Sequence, residues 1–290
     1  MSFASDVKSE MLCVKPVESC CMRAEFEALI KFGGTIIENR LDLTYNSAAV
    51  TRRALSLLKK FYPDARTGIA VVQLKPMKRI KHYIIKVFLT PSTESLVQII
   101  SGNEFPVDDC CRAAFLRGMF LARGTVSRPE SEYHWEIVAL DEALAMFVVR
   151  LLNQMDFPAK MFVRNQKYIT YMKDFESIAD FLAFTGANEA VDRCEAARNV
   201  KEVRMLANRI VNCETSNLQM AVDAAQRQIE DIKFIIKKGV PLTPELTETM
   251  RARLKHPEMP MSELAQMLYV TTGGLKGRMR RLHALAMQAR

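Results

Sequence analysis

Four cations fall within six positions near the C-terminus, at Lys276, Arg278, Arg280 and Arg281. This density of positive charge favours binding to a polyanion such as DNA, because lysine and arginine neutralise backbone phosphates and arginine reads guanine through two hydrogen bonds. Thr271 and Thr272 precede them, and their hydroxyls suit helix capping or phosphate contact. We expect these six residues to bind double-stranded DNA.

The elements around these cations predict how they are held. A short helix over residues 262–268 and a turn at 269–271 lead to a second helix over 272–286. Leu275, Met279, Leu282 and Leu285 form its inward stripe, which leaves Lys276 and Arg280 on one outer stripe. A short helix, a tight turn and a basic helix are typical of a helix-turn-helix, so we expect an all-α domain over 240–290.

A further helix should precede this pair. Thr243-Pro244-Glu245 is a strong helix start, and His256-Pro257 ends the helix. Leu246, Met250 and Leu254 form its predicted buried stripe.

The positive charge is concentrated in the same part of the chain. Residues 193–290 hold 17 basic and 10 acidic residues, whereas residues 1–192 hold 24 and 23. A charge concentrated in one segment favours a polyanionic partner more than a uniform excess would, and a solvated helical face is the alternative.

The seven cysteines predict neither a disulfide framework nor a metal site. There is no C-x-x-C motif and only four histidines are present, which argues against zinc. We expect Cys20, Cys21, Cys110 and Cys111 to be reduced, half-buried helix residues of a cytosolic protein, and we expect no cofactor. No apolar run approaches about 18 residues and no signal pattern is present, so we expect no membrane partner.

The first two-thirds of the chain contains an internal repeat. Residues 20–36 and 110–126 share a Cys-Cys pair, an alanine and a Gly-Thr pair. Each half, about 20–103 and 110–187, reads as α-β-β-α-β-β-α, with Pro91 opening the last helix of the first half. We therefore predict an α+β domain over 1–190, and a helical linker over 191–239 with a break near Cys213–Asn217, where asparagine is frequent.

The repeats carry a family resemblance. Leu116–Gly124 (L-R-G-M-F-L-A-R-G) resembles a degenerate LAGLIDADG motif of homing endonucleases, and Phe26–Gly34 resembles a weaker copy. Together with an N-R-x-x-N-C-E-x-x-N block at Asn208–Asn217 and the C-terminal helices, the whole chain resembles the WhiA family of bacterial transcriptional regulators. The resemblance implies a duplicated LAGLIDADG-like domain joined to a helix-turn-helix that is itself similar to the promoter-reading region of sigma factors.

The residues that cleavage would need are missing from the motif. Active LAGLIDADG enzymes carry an acid at the eighth position of both copies, where two carboxylates hold the metal for phosphodiester hydrolysis. This chain has Gly33 and Arg123 there; glycine offers no ligand and arginine repels a cation. We expect no catalytic residue and no enzyme activity. For Arg123 two interpretations stay open, a cation at a helix C-terminus or a phosphate contact.

Other cations suggest weaker contacts with DNA. In related enzymes the sheets lie along DNA, and the corresponding candidates are Arg40, Lys75, Lys78, Arg79, Lys81, Arg128, Arg164 and Lys167. Ordinary exposed strand charges are the alternative. In the linker, Arg204 and Arg209 are candidate DNA contacts, while the polar residues of the Asn208–Asn217 block suit interdomain hydrogen bonds.

Three glycines in the predicted second helix differ from the residues of more typical family members. Gly273, Gly274 and Gly277 stand where a more typical member has serine and asparagine or histidine. They cost helix stability, about 1 kcal/mol each. Two interpretations stay open: close approach of the backbone to DNA, or weaker reading of bases and hence lower sequence specificity.

Together these features predict a cytoplasmic, nucleoid-associated transcriptional regulator. Its partners would be DNA and RNA polymerase or a partner regulator, and the resemblance implies a role in sporulation, cell division or chromosome segregation. The alternatives are a LAGLIDADG-type nuclease or RNA maturase, or a protein-docking scaffold with incidental DNA binding.

Overall fold

The computed structural model describes residues 2–73 and 81–290. Contacts divide the chain into two units, of which the first ends at Lys201 and the second begins at Glu202. The first unit is α+β and holds both repeats, whereas the second is helical. Among the helices of the described residues, none has the length and apolar character needed to cross a bilayer.

The two repeats have the same element order. Helix α1 (Phe3–Cys13) precedes them. The first repeat contains α2 (Ser19–Gly33), β1 (Gly34–Ile37), β2 (Arg40–Tyr45), α3 (Ala48–Phe61), β3 (Thr67–Gln73), β4 (Lys81–Phe88) and α4 (Ser95–Ser101). The second contains α5 (Asp109–Arg123), β5 (Gly124–Val126), β6 (Trp135–Ala139), α6 (Glu142–Asn153), β7 (Lys160–Arg164), β8 (Lys167–Met172) and α7 (Phe175–Thr185). The α-β-β-α-β-β-α order predicted for each half is confirmed.

The two sheets are equivalent antiparallel sheets. Their strand orders are β1-β2-β4-β3 and β5-β6-β8-β7. In the first sheet, Leu41 pairs with Val87 and Leu43 with Ile85, and all four are buried. Because alternate strand residues face opposite sides, this row faces the core and leaves the intervening residues on the other face.

Helix α4 begins later than the sequence predicts. A helix from Pro91 was expected, whereas residues 91–94 form turns and α4 begins at Ser95. The cause is Thr93, whose Oγ1 accepts a hydrogen bond from the Thr90 N–H at 2.8 Å. Such local side-chain bonds compete with helical ones.

Helices α2 and α5 pack closely because small residues face each other. A Cβ added to Gly118 would lie 2.6 Å from the carbonyl oxygen of Glu25 and 2.9 Å from the Cβ of Ala28. No real side chain fits at these distances, so Gly118 permits the backbone contact on which the repeat interface depends.

The predicted break in the linker is wrong. Helix α8 runs without interruption over Asn188–Lys238. Asparagine disfavours a helix by less than about 1 kcal/mol per residue relative to alanine. Residues 202–223 are all exposed in the part of the chain that the structure describes. Side-chain bonds one turn apart, such as Gln219 to Asp223 at 2.8 Å, support the helix instead.

The second unit packs three further helices against the end of α8. They are α9 (Pro244–Lys255), α10 (Met261–Met267) and α11 (Thr272–Ala289). Their shared core includes Ile232 and Ile235 of α8. The prediction for α9 is partly wrong, since Leu246 is buried and Met250 half-buried but Leu254 is exposed.

Arg253 takes the buried place expected of Leu254. A strict four-residue spacing overshoots the 3.6-residue helical turn, so the buried stripe drifts back by one position. The Arg253 guanidinium donates to the carbonyl of Met259 at 2.7 Å and thereby holds the α9–α10 connection. Its burial lowers the pKa of Arg253.

Candidate nucleic-acid interface

Helix α11 presents the predicted basic face. Thr271 caps it, since its Oγ1 accepts the Gly274 N–H at 3.0 Å. Leu275, Met279 and Leu282 are buried as predicted, whereas Leu285 is half-buried and Ala286 completes the stripe. Burial of this stripe sets the rotation of the helix about its axis.

The opposite side of α11 carries the candidate contacts. Exposed residues on it are Thr271, Thr272, Lys276, Arg280 and Arg281. The exposed hydroxyls lie at the helix N-terminus, where backbone N–H groups and the helix dipole favour an anion. The structure therefore brings five of the six predicted residues to a solvent-facing surface.

Arg278 is separated from this set. It is half-buried, and its Nη1 lies 3.5 Å from Thr249 Oγ1 and 3.7 Å from Glu248 Oε2. Both partners belong to α9, so Arg278 joins α11 to α9 within the second unit. The structure places it in the packing of the unit, which favours a structural role for Arg278 over the predicted DNA contact.

Lys276 and Arg280 also line a groove of about 440 Å³ beside α8, and Arg227 of α8 lines it with them. Asp231 lies in the same groove, and its carboxylate accepts hydrogen bonds from His283 at 2.6 Å and Arg290 at 3.0 Å. Its negative charge is thus engaged, and the groove offers three cations to an anion. Arg227 is a site residue that sequence reasoning missed, since no motif marks it.

The glycines of α11 leave open space on its surface. A Cβ at Gly273 or Gly277 would meet no other atom within 4 Å, and one at Gly274 would touch only the capping hydroxyl. Packing inside the chain therefore does not require glycine here. Without side chains at these positions, a ligand can reach the helix backbone.

The linker candidates lie on the exposed part of α8. Arg204 and Arg209 are both exposed, as are the asparagines of the same block. Asn217 donates to the Cys213 sulfur one turn earlier at 3.7 Å, so this bond stays within the helix. The contact of either arginine with DNA stays a prediction.

The ends of the paired helices are occupied by other interactions. Arg123 is half-buried, and its Nε donates to the carbonyl of Phe32 at 2.7 Å. It thus satisfies a carbonyl at the end of the opposite helix, which is closer to the helix-terminus interpretation than to a phosphate contact. Burial lowers the pKa of Arg123.

Gly33 faces an aromatic ring at the same place. A Cβ at Gly33 would lie 2.5 Å from the ring of Tyr45, whose hydroxyl donates to the carbonyl of Leu29 at 3.0 Å. Lys8 donates to the carbonyl of Leu121 at 3.1 Å, and burial together with Arg123 lowers the pKa of Lys8 to about 8. Cations and an aromatic ring therefore stand where a nuclease would hold carboxylates.

The acids closest to the motif in sequence are used elsewhere. Glu25 is buried between Arg53 at 2.7 Å and Arg117 at 3.0 Å. Glu27 pairs with Arg23 on the helix surface at 2.7 Å. Glu38 lies exposed in the β1–β2 turn.

The candidate cations of the sheets divide into three groups. Lys75, Lys78 and Arg79 lie outside the described residues. Arg40 pairs with Asp42 at 2.9 Å, and Arg164 lies 3.4 Å from Glu136. The remaining three, Lys81, Arg128 and Lys167, are exposed.

Comparison with known proteins places the whole chain in one group. Family models match the WhiA N-terminal LAGLIDADG-like domain over residues 19–100, the WhiA LAGLIDADG-like domain over 112–204 and the WhiA C-terminal HTH domain over 207–286. The probable cell division protein WhiA of Shouchella clausii is 36% identical over 312 residues, covering 100% of this chain and 95% of the relative.

A second relative and a solved structure agree. The probable cell division protein WhiA of Bacillus pumilus is 36% identical over 310 residues, covering 100% of this chain and 98% of the relative. The crystal structure of full-length WhiA from Thermatoga maritima has a TM-score of 0.62 at 23% identity, covering 99% of both chains. The latter shows the shared fold.

Proposed function

This chain belongs to the WhiA family, and from that premise we propose that it is a sequence-directed DNA-binding regulator of transcription linked to cell division. The observation that carries the proposal is the exposed face of α11. Thr271, Thr272, Lys276, Arg280 and Arg281 are exposed on a capped helix that follows a tight turn. This is how a recognition helix meets the major groove.

Within this face, different cations would contact the phosphates and the bases of DNA. Lys276 and Arg280 lie one turn apart, and with Arg227 they line the cationic groove. These cations suit phosphate contacts, which supply most of the affinity and its salt dependence. Arg281 lies outside the groove lining and suits a base edge, because a guanidinium pairs with guanine through two hydrogen bonds.

We further propose that the LAGLIDADG-like domain does not cleave nucleic acid. Metal-assisted hydrolysis needs carboxylates at the helix ends, and Gly33 and Arg123 stand at those positions. The Arg123 side chain is committed to the Phe32 carbonyl, and Glu25 is held by two arginines. This domain would instead support DNA binding or contact a protein.

The cellular role rests on the relatives, whose names give cell division. Sporulation and chromosome segregation belong to the same proposal, as do association with the nucleoid and contact with RNA polymerase or a partner regulator. The cellular roles are those that the family resemblance implies, and the nucleoid and the two protein partners are what a DNA-binding regulator would meet.

A genome-wide map of sites bound by the full chain tests the proposal. The expected result is enrichment at a limited set of promoters, lost in a Lys276→Ala/Arg280→Ala variant that is still folded. Uniform recovery of the genome, or enrichment unchanged in the variant, would contradict sequence-directed binding by α11.

Incubation of the bound DNA with magnesium tests the absence of cleavage. Intact DNA is expected, and strand breaks that follow the purified wild-type chain would overturn this part of the proposal.

A further inference from the structure

Four thiols meet where helices α2 and α5 begin. Cys20 and Cys21 lie in the first turn of α2, and Cys110 and Cys111 lie in the first turn of α5. All four sulfur atoms lie within 4.8 Å of one another. The two pairs come from equivalent positions of the two repeats, so the pseudo-symmetry of the helix pair assembles the group.

Three of the sulfur spacings are close to those of a tetrahedral metal site, and the others do not exceed 4.8 Å. Within each pair the sulfurs are 4.0 Å and 3.9 Å apart, and Cys21 and Cys111 are 3.9 Å apart across the repeats. Four thiolates bound to zinc at about 2.3 Å place their sulfurs about 3.8 Å from each other. A disulfide needs about 2.0 Å, so no covalent bond joins these atoms.

We propose that Cys20, Cys21, Cys110 and Cys111 bind one thiophilic cation, zinc, which links the two repeats at the start of their paired helices. Four sulfur ligands in tetrahedral arrangement select zinc over magnesium or calcium, which prefer oxygen. The site has a buried half, Cys21 and Cys111, and an exposed half, Cys20 and Cys110, through which an ion enters.

The surrounding backbone suits the negative charge of such a centre. Both helices are 15 residues long and begin at the thiols, so two positive dipole ends converge on the sulfurs. Neither N-cap residue, Glu18 or Asp108, caps its helix through its side chain. The first-turn N–H groups therefore remain available to thiolate sulfur.

The consequence for the fold is a cross-link between the repeats. Cys21 and Cys111 are 90 positions apart in the chain, and the ion would join them without a covalent bond. Free energy of metal binding adds to the free energy of folding when the unfolded chain does not form the site. The four thiols were expected to be half-buried and unliganded, because no metal-binding spacing lies within one segment; in the fold Cys21 and Cys111 are buried and Cys20 and Cys110 exposed.

Cobalt(II) titration of the full reduced chain tests the site under anaerobic conditions. We expect one equivalent to bind and give the intense visible bands of a tetrahedral tetrathiolate, with zinc displacing the cobalt. Elemental analysis of protein grown with zinc should find one zinc ion per chain.

The matched variants exchange exposed thiols only. Cys20→Ser/Cys110→Ser should lose the stoichiometric metal and the spectrum. Cys13→Ser/Cys213→Ser removes two exposed thiols elsewhere and should retain both. Circular dichroism tests whether each variant is folded. If the double variant is not folded, the single Cys20→Ser variant replaces it in the titration.

Three results would overturn the inference. The first is no stoichiometric metal on the reduced wild-type chain under anaerobic conditions. The second is a cobalt spectrum without tetrathiolate bands. The third is metal kept by a folded Cys20→Ser/Cys110→Ser variant.

Discussion

Arg117 Nε lies 3.0 Å from Glu25 Oε2, and this pair joins the central helices of the two repeats. Glu25 is 1% exposed, and Arg53 of the first repeat holds its other oxygen at 2.7 Å. Arg117 also donates to the carbonyl of Thr185 at 3.3 Å. One buried carboxylate thus anchors an arginine from each half of the first unit, and Glu25 serves the packing of the two repeats.

Removal of this carboxylate should destabilise the first unit. Glu25→Ala leaves the buried Arg117 guanidinium and the half-buried Arg53 guanidinium without their counter-charge, which costs about 3–5 kcal/mol. Glu27→Ala, two positions away on α2, removes only the surface partner of Arg23 and should cost less than about 1 kcal/mol. Urea unfolding of both variants measures the difference, and equal losses would contradict the buried pair.

Neutralising the outer stripe of α11 should weaken DNA binding in a salt-dependent way. Lys276→Ala and Arg280→Ala should each reduce the slope of log affinity against log salt by about 0.9, because each phosphate contact releases counterions. Arg52→Ala removes one exposed charge from α3 and should leave the slope unchanged. Fluorescence anisotropy of a labelled duplex over a salt series measures this, and an unchanged slope in all three would exclude the stripe.

Arg278→Ala should behave differently from its neighbours on α11. Because Arg278 contacts Thr249 and Glu248, its loss should lower the unfolding midpoint of the second unit. The salt slope should stay close to that of the wild-type chain. A slope reduced as much as in Arg280→Ala, at unchanged stability, would instead place Arg278 on DNA.

Two helical glycines should respond oppositely to alanine. Gly118→Ala forces a Cβ against the backbone of α2 and should cost about 1–3 kcal/mol. Gly277→Ala enters open space and should stabilise α11 by up to about 1 kcal/mol. Thermal unfolding distinguishes them. If Gly277→Ala also lowers DNA affinity, the glycine serves close approach of the backbone to DNA.

Burial of Lys8 predicts a pH dependence of stability. The pKa of Lys8 in the folded chain is lowered to about 8 from 10.5. Between these two pH values the unfolded chain binds more protons than the folded chain, so the free energy of unfolding of the wild-type chain increases with rising pH. Lys8→Met removes this contribution, and other titrating groups are common to both proteins. The stability of Lys8→Met relative to wild type should therefore decline from pH 7.5 to 10. Urea unfolding midpoints of both proteins over this pH range measure the difference, and a difference that does not change with pH would contradict the prediction.

Sequence patterns located the elements but not every end. Hydrophobic periodicity, caps and turn residues predicted both repeats, the strand hairpins and the helix-turn-helix, because these depend on contacts within a few residues. The misplaced start of α4 came from a single threonine hydroxyl, and the break assigned to α8 gave too much weight to asparagine. Leu254 was predicted to be buried from a strict four-residue spacing, which does not match the 3.6 residues of a helical turn.

The sequence by itself determined the duplicated architecture, the family and the basic stripe of α11, because all three depend on residue types and on their order over short stretches of the chain. Only the tertiary structure decided which side chains meet across the repeats. Glu25 with Arg117, Arg123 with the Phe32 carbonyl, and the four thiols each join residues about 90 positions apart. Such contacts depend on how two helices pack at Gly118, and no pattern within either helix specifies them.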